Sequence, residues 1–418
     1  MRAKLLFIIA LPLMVGCTDQ NSTFFEEVER ETPVDVTRLY IDAFGNLYPN
    51  SGLNPKYEMM PNHQGSLLNA MKDSSSGLCE QDMKFSDARI LCDSLPTGDW
   101  HNGQTTLWAK AANSIVQKAA AEGGDLDLVF LVHGFNNLAK EARASFTEAR
   151  KVIVDYKAPN RRQHFVEIYW DGFKSDTTKV DAWRKAQAAG PLVGFKLRRL
   201  MHELKKELGN SEAAPVRVRF LTHSSGAFVV GSLFGDPIAA LPLLQKGQGS
   251  DYKYFAQYRN NTDATNQNSI ASFKDLRVGM LAPATSDWTF VGNKKYEAGF
   301  RSSGATVLFS IQPNDEALTK VFLGPDFPSS GSTGLGVDKT NHYCGELRTN
   351  SDLASRNIKF IGYDFSRNEK QFPGKEKAHD FTVYLEQATA RSSFMKDLFS
   401  SEPIDLDAKE NRICGKGN

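Results

Sequence analysis

The sequence carries no excess of charge of either sign. Its 50 basic and 49 acidic residues leave a net charge of +1, and neither sign gathers into a long run. Nucleic-acid binders show a basic stripe or patch, so that class is set aside. Long apolar stretches are missing too. The run Leu5 to Val15, broken by Pro12, is eleven residues long, well short of the roughly twenty that a hydrocarbon core requires. There is no internal repeat, no CxxC and no Cys/His cluster, so neither a metal nor an organic cofactor is implied. The bulk composition, 41% hydrophobic and 24% charged, excludes disordered, collagenous and multi-spanning membrane chains. At 418 residues the chain suffices for one large domain with insertions or two modest ones.

The basic Arg2 and Lys4 ahead of the short apolar run have the shape of an export signal. Met14-Val15-Gly16-Cys17 resembles the lipobox of bacterial lipoproteins, with Met14 where Leu is more usual. An ordinary cleaved signal with an incidental cysteine is the alternative. The resemblance implies removal of residues 1–16 and acylation of Cys17, and two or three acyl chains hold a protein stably on a membrane. Thr18 in place of Asp after the cysteine implies the outer membrane of a two-membrane bacterium. Loss of Arg2 and Lys4 takes the net charge from +1 to −1, so anchoring would fall to the acyl chains.

The remaining cysteines are Cys79, Cys92, Cys344 and Cys414. An even number in an exported chain points to two disulfides. Of the three pairings, Cys79–Cys92 with Cys344–Cys414 is favoured. The first closes a loop worth about 3 kcal/mol in the chain-entropy model, and the second fastens the C-terminal residues to the body. Buried free thiols are the alternative.

Residues 17–35 are polar and acidic and read as a tether. Residues 36–125, the N-terminal region of the globular body, carry no assignable chemistry beyond a helix over Ala111 to Ala121. From 126 to about 400 apolar runs alternate with amphipathic stretches, and 401–418 form a tail. Strands are expected over 126–132, 164–170, 216–221, 276–281, 305–311 and 358–363, with helices over 139–154 and 193–208 among them. This alternation argues an α/β fold with a mostly parallel central sheet and helices on both faces. Ligands in such sheets bind beyond the carboxyl ends of the strands.

Reactive groups stand at those ends. Thr222-His223-Ser224-Ser225-Gly226 follows the strand 216–221 and precedes an apolar helix start. It resembles the nucleophile elbow G-x-S-x-G of the α/β-hydrolase superfamily, with Thr222 in place of the first glycine. The elbow demands small residues two positions either side of the nucleophile, which Gly226 satisfies. Ser225 as nucleophile would put His223 in the crowded position, so Ser224 is the candidate. Seen alone, the pentapeptide would equally suit a helix N-cap.

Leu131-Val132-His133-Gly134-Phe135-Asn136 follows the first buried strand. The same resemblance implies an HG-type turn there, with Phe135 N–H and Ser225 N–H as oxyanion donors and His133 and Gly134 supporting the turn. The superfamily order nucleophile–acid–histidine leaves His379 and His342 as bases, and His379, after the last strand, is favoured. Asp315, after the strand 305–311, is the favoured acid, ahead of Asp287 and Glu316. The HGFN, THSSGA and NDEAL motifs together resemble a little-characterised bacterial branch of the superfamily over residues 126–400. Trp170 falls where that branch has a Trp-containing turn, as pocket wall or plain core. The helix over 193–208, with Leu197, Leu200 and Leu204, reads either as a lid surface or as core.

The expected function is that of a membrane-anchored, exported serine hydrolase cleaving an ester, a small molecule or a lipid or acylated envelope substrate, through an acyl-enzyme on Ser224. A thioester, an amide or acyl transfer would use the same residues. A non-catalytic binding scaffold is the competing class, and Thr222 is the feature most favourable to it. The oligomeric state is not legible in the sequence.

Overall fold

Every apolar run expected as a strand is one, and a seventh strand precedes them. The computed structural model describes residues 33–49, 66–72, 79, 86–120, 125–173, 179–209, 216–235, 273, 275–285, 290, 300–313, 315–319, 351–365, 379–390, 393–400 and 402–404. The export segment, Cys17, most of the tether, Asp287, His342, Cys344, Cys414, nearly all of 235–272 and the whole of 324–345 lie outside the described residues. In chain order the strands are β1 (Val36–Ile41), β2 (Asp125–Val132), β3 (Arg161–Trp170), β4 (Val216–His223), β5 (Leu276–Leu281), β6 (Thr306–Ile311) and β7 (Lys359–Asp364). The helices are α1 (Leu67–Lys72), α2 (Ser86–Ser94), α3 (Trp100–Ala120), α4 (Ala139–Val154), α5 (Lys179–Gly209), α6 (Gly226–Phe234), α7 (Glu316–Thr319), α8 (Ser351–Ser355), α9 (Phe381–Ala390) and α10 (Phe394–Phe399).

The strands form one open sheet in the order β1-β3-β2-β4-β5-β6-β7, and every neighbouring pair is parallel. The protein is therefore α/β, with an all-parallel sheet flanked by helices. After β2 the chain moves outward to β3, then returns past β2 to β4 and proceeds to β7. Right-handed crossovers in opposite directions put the connecting helices on opposite faces. One group holds α3, α5 and α6, in contact with one another through α5, and the other holds α4, α9 and α10. The direction of travel reverses between β2 and β4. A crevice opens at the carboxyl ends of strands at such a reversal.

Local chemistry explains several elements. Glu141 in the first turn of α4 reaches back to accept a hydrogen bond from Leu138 N–H at 2.7 Å, satisfying a donor outside the helix ladder. Helix α5 begins well before the expected position and continues through Pro191, whose carbonyl accepts a hydrogen bond from the Ser232 hydroxyl of α6. A Cβ on Gly194 would overlap the carbonyl of Val229, so that glycine lets α5 lie directly on α6. Leu197, Leu200 and Leu204 are buried, and this helix is core rather than lid. Trp170 is fully buried too, with its indole N–H bonded to the His133 carbonyl at 2.8 Å.

Cys79 and Cys92 form a disulfide with a Cα–Cα distance of 5.5 Å. At the amino ends of the strands sits a buried charge network. Asp127 accepts from Arg161 at 2.7 Å and from Arg217. Arg277 donates to the carbonyls of Asp397 and Glu402, and Arg217 to that of Phe399, so guanidinium groups close the C-terminal end of α10. A long-range pair fixes edge strand β1 as well: Arg38 binds Glu167 of β3 at 3.0 Å.

Candidate functional site

The carboxyl ends of β2, β4 and β6 bring the sequence-predicted residues together. Ser224 follows β4 in the turn before α6, with φ at +53°. That left-handed conformation is uncommon for a residue with a Cβ and marks a strained turn. Its N–H donates to Leu281 O at 3.0 Å, and its carbonyl accepts from Ala227 and Ala284. Two glycines make the turn possible. A Cβ on Gly226 would sit 2.8 Å from His133 O and 2.9 Å from Val132 O, and one on Gly134 would sit 2.8 Å from Ser224 Cβ. The turn after β2 and the turn after β4 thus touch backbone to backbone. Thr222 fits its position fully buried, and its hydroxyl has no partner among the described residues.

His379 lies in the turn leading into α9, held by Asp380, whose carboxylate caps the helix through Thr382 N–H at 2.9 Å. Its Nε2 is 2.9 Å from Ser224 Oγ and its Nδ1 is 2.7 Å from Asp315 Oδ2. A carboxylate only accepts, so Nδ1 carries the proton and Nε2 is left to accept from the serine hydroxyl. Asp315 divides its two oxygens. Oδ1 accepts from Ala317 N–H at 2.9 Å and Leu318 N–H at 3.2 Å at the start of α7. Oδ2 takes His379 and the Tyr384 hydroxyl, the latter at 2.6 Å. Burial works to raise the Asp315 carboxyl. The neighbouring His379 and the hydrogen bonds outweigh burial, so the group stays below the usual carboxylate range. Glu316 heads α7, and its side chain lies outside what the structure describes.

Tyr384 is a site residue that sequence reasoning missed. A tyrosine in an apolar helix reads as core, and nothing local announces an acid 69 residues away. Burial, and then the Asp315 carboxylate, push its phenol well above its ordinary range. It therefore acts as a donor. His223, beneath the site, is buried with its ring 5.0 Å from that of His379 and 5.4 Å from that of Phe381. Burial, then the neighbouring His379, hold it well below the usual imidazole range.

His133 links the turn after β2 to the end of β3. Its Nδ1–H donates to Gly134 O at 2.7 Å and its Nε2 accepts from Trp170 N–H at 3.2 Å. Burial lowers its pKa to about 4, so it stays neutral. Gly134 and Gly226 occupy the positions of closest approach. Phe135 N–H, expected to face the substrate, instead donates to Ser225 Oγ at 2.7 Å. The Phe135 ring packs edge-on against Trp183 of α5, which meets Phe228 of α6. Among the described residues no group of three or more His, Cys, Asp or Glu side chains is arranged to hold a metal ion. No described helix is long and apolar enough to cross a membrane.

Fold and site together define an α/β protein whose sheet reversal carries a Ser–His–Asp hydrogen-bond chain. No protein-family model matches the sequence, and no curated protein matches it. One solved structure, an uncharacterized protein from Pseudomonas aeruginosa, aligns with half of this chain and 38% of its own length, at 11% identity and a TM-score of 0.19. This chain thus spans well under two thirds of that protein, and the likeness is too slight to carry an argument.

Proposed function

We propose that the chain is a serine hydrolase of the α/β-hydrolase type that cleaves carboxylic esters through an acyl-enzyme on Ser224. The observation that carries this reading is the continuous chain Ser224–His379–Asp315, with links of 2.9 and 2.7 Å, on a serine held at positive φ at the sheet's reversal point. A serine hydroxyl is a weak nucleophile until a base takes its proton. Here Nε2 of His379 is within reach of that proton. Asp315 fixes the tautomer and stabilises the imidazolium that forms, without taking the proton itself. The Tyr384 hydroxyl and the α7 amides hold Asp315 in place.

In the acylation step Ser224 Oγ bonds to the carbonyl carbon as its proton passes to His379 Nε2, and the carbonyl π pair moves onto oxygen. When that pair returns, the bond to the leaving alcohol breaks and the alcohol oxygen takes the proton from Nε2. Water then repeats the sequence on the acyl-enzyme, releasing the acid. The lipobox-like Met14 to Cys17 supports a lipid-anchored, exported enzyme, and lipid or acylated envelope esters are the substrates such an anchor would favour. The test is hydrolysis of p-nitrophenyl esters of increasing chain length. The parent chain should turn over, Ser224→Ala should lose at least about 10³-fold in kcat, and equal activity in the two would refute the reading.

A further inference from the structure

The hydroxyl of Ser225 sits where the Ser–His–Asp chain makes no use of it. Ser225 is fully buried at the N-cap of α6, yet its side chain makes no capping hydrogen bond to that helix, the ordinary use of a serine there. Instead its Oγ accepts from Phe135 N–H at 2.7 Å. A hydroxyl can accept and donate at once. Among the described residues no acceptor takes its proton.

The surroundings say where that proton can go. The Gly134–Phe135 turn lies against Ser224: a Cβ on Gly134 would be 2.8 Å from Ser224 Cβ and 3.4 Å from Ser224 Oγ. A carbonyl carbon attacked by Ser224 therefore places its oxygen between this turn and the start of α6. One N–H points along one direction, and for Phe135 that direction is filled by Ser225 Oγ. Phe135 N–H is thus committed to Ser225 Oγ and not free to meet an incoming oxygen. The Ser225 N–H stands at the helix start, where amides lack intrahelical acceptors. It is three bonds from its own hydroxyl, so both donors can converge on one oxygen.

We propose that Ser225 is itself catalytic: its O–H, polarised by the hydrogen bond from Phe135 N–H, joins its N–H in binding the oxyanion. This rests on the ester-hydrolase reading above. During attack by Ser224 the carbonyl oxygen gains the π pair and accepts both Ser225 hydrogen bonds, and when the C=O bond re-forms these weaken. Ser225 keeps its proton throughout, and only His379 exchanges one. Donors aimed at charge that appears in the transition state raise kcat rather than ground-state binding.

The experiment compares the full chain with Ser225→Ala and Ser225→Cys on p-nitrophenyl butyrate, with butylboronic acid as a probe that forms a tetrahedral anion on the nucleophile. Ser225→Ala should lose about 10²–10³-fold in kcat, with KM within about twofold and boronate inhibition weakened to a similar degree. Ser225→Cys fills nearly the same space with a weak donor and should fall with it, which separates loss of the donor from loss of packing. If kcat in Ser225→Ala stays within about threefold of the parent, the hydroxyl only anchors the turn and the proposal fails. A rise in kcat would show that it blocks the Phe135 amide, and equally overturns it. A parent chain without Ser224-dependent turnover would bring down the ester reading itself, an outcome distinct from either.

Discussion

Ser224 is held at φ +53° by two neighbours that lack a Cβ. Gly226→Ala would drive a methyl to 2.8–2.9 Å from two backbone carbonyls that end β2. Neither carbonyl is the end of a flexible chain, so the start of α6 must move. The variant should lose about 1–3 kcal/mol of stability and most of its turnover, read by denaturant titration and ester hydrolysis. Asp315→Asn should keep the fold and lose about 10³–10⁴-fold in kcat, because an amide can donate to the histidine and favours the wrong tautomer. Tyr384→Phe removes one donor from Asp315 Oδ2 and leaves the α7 amides on Oδ1. Removing a hydrogen bond to a charged group costs about 1.5–3 kcal/mol, so kcat should fall roughly 10- to 100-fold with KM little changed. The three chain members were legible because each follows a strand. Tyr384 and the Ser225 hydroxyl were not, since their partners are distant in sequence and their types are ordinary in a helix and at its cap.

Elements follow the same division. Six strands show in the sequence as apolar runs with clear ends, and α4 falls at the expected residues. Strand β1 was not legible: Val36–Ile41 is short and includes Thr37 and Arg38, whose buried partners His164 and Glu167 lie more than a hundred residues away. The start of α5 was missed because Pro191 ordinarily ends a helix, and here the helix runs through it. The arginines of β4 and β5 look like solvated positions in a strand, yet Arg217, Arg219 and Arg277 are buried. Asp127 holds Arg217 together with Arg161 of β3. Asp127→Asn would leave the Arg161 and Arg217 guanidiniums short of a buried counter-charge, and such losses cost about 3–5 kcal/mol. Denaturant unfolding should show that drop with little change in the slope.

Across the whole molecule the sheet order was not legible, because parallel pairing depends on crossovers that composition does not mark. The reversal between β2 and β4 decides where the site lies. Stability should depend on pH through buried histidines. Burial lowers His133 and His164 to about 4 and holds His223 well below its usual range. The unfolded chain takes up these protons near pH 6.5, so their neutral forms support the fold fully above that pH and the support is lost as pH falls toward 4. For His133 the full effect is on the order of 3 kcal/mol. Asp42 opposes this, since burial raises its pKa to about 6 and the folded state then binds its proton more readily. Three histidines outweigh one carboxyl. The thermal midpoint should fall by at least about 5 °C between pH 7.5 and pH 5, and a flat profile would contradict the assignment of neutral buried histidines.

Labelling with a fluorophosphonate, followed by peptide mapping, asks which atom of the folded chain is nucleophilic. One equivalent should attach to Ser224 at neutral pH, and labelling should be lost in Ser224→Ala and strongly slowed in His379→Ala. A folded chain that takes no label, or takes it at another serine, would overturn Ser224 as the nucleophile.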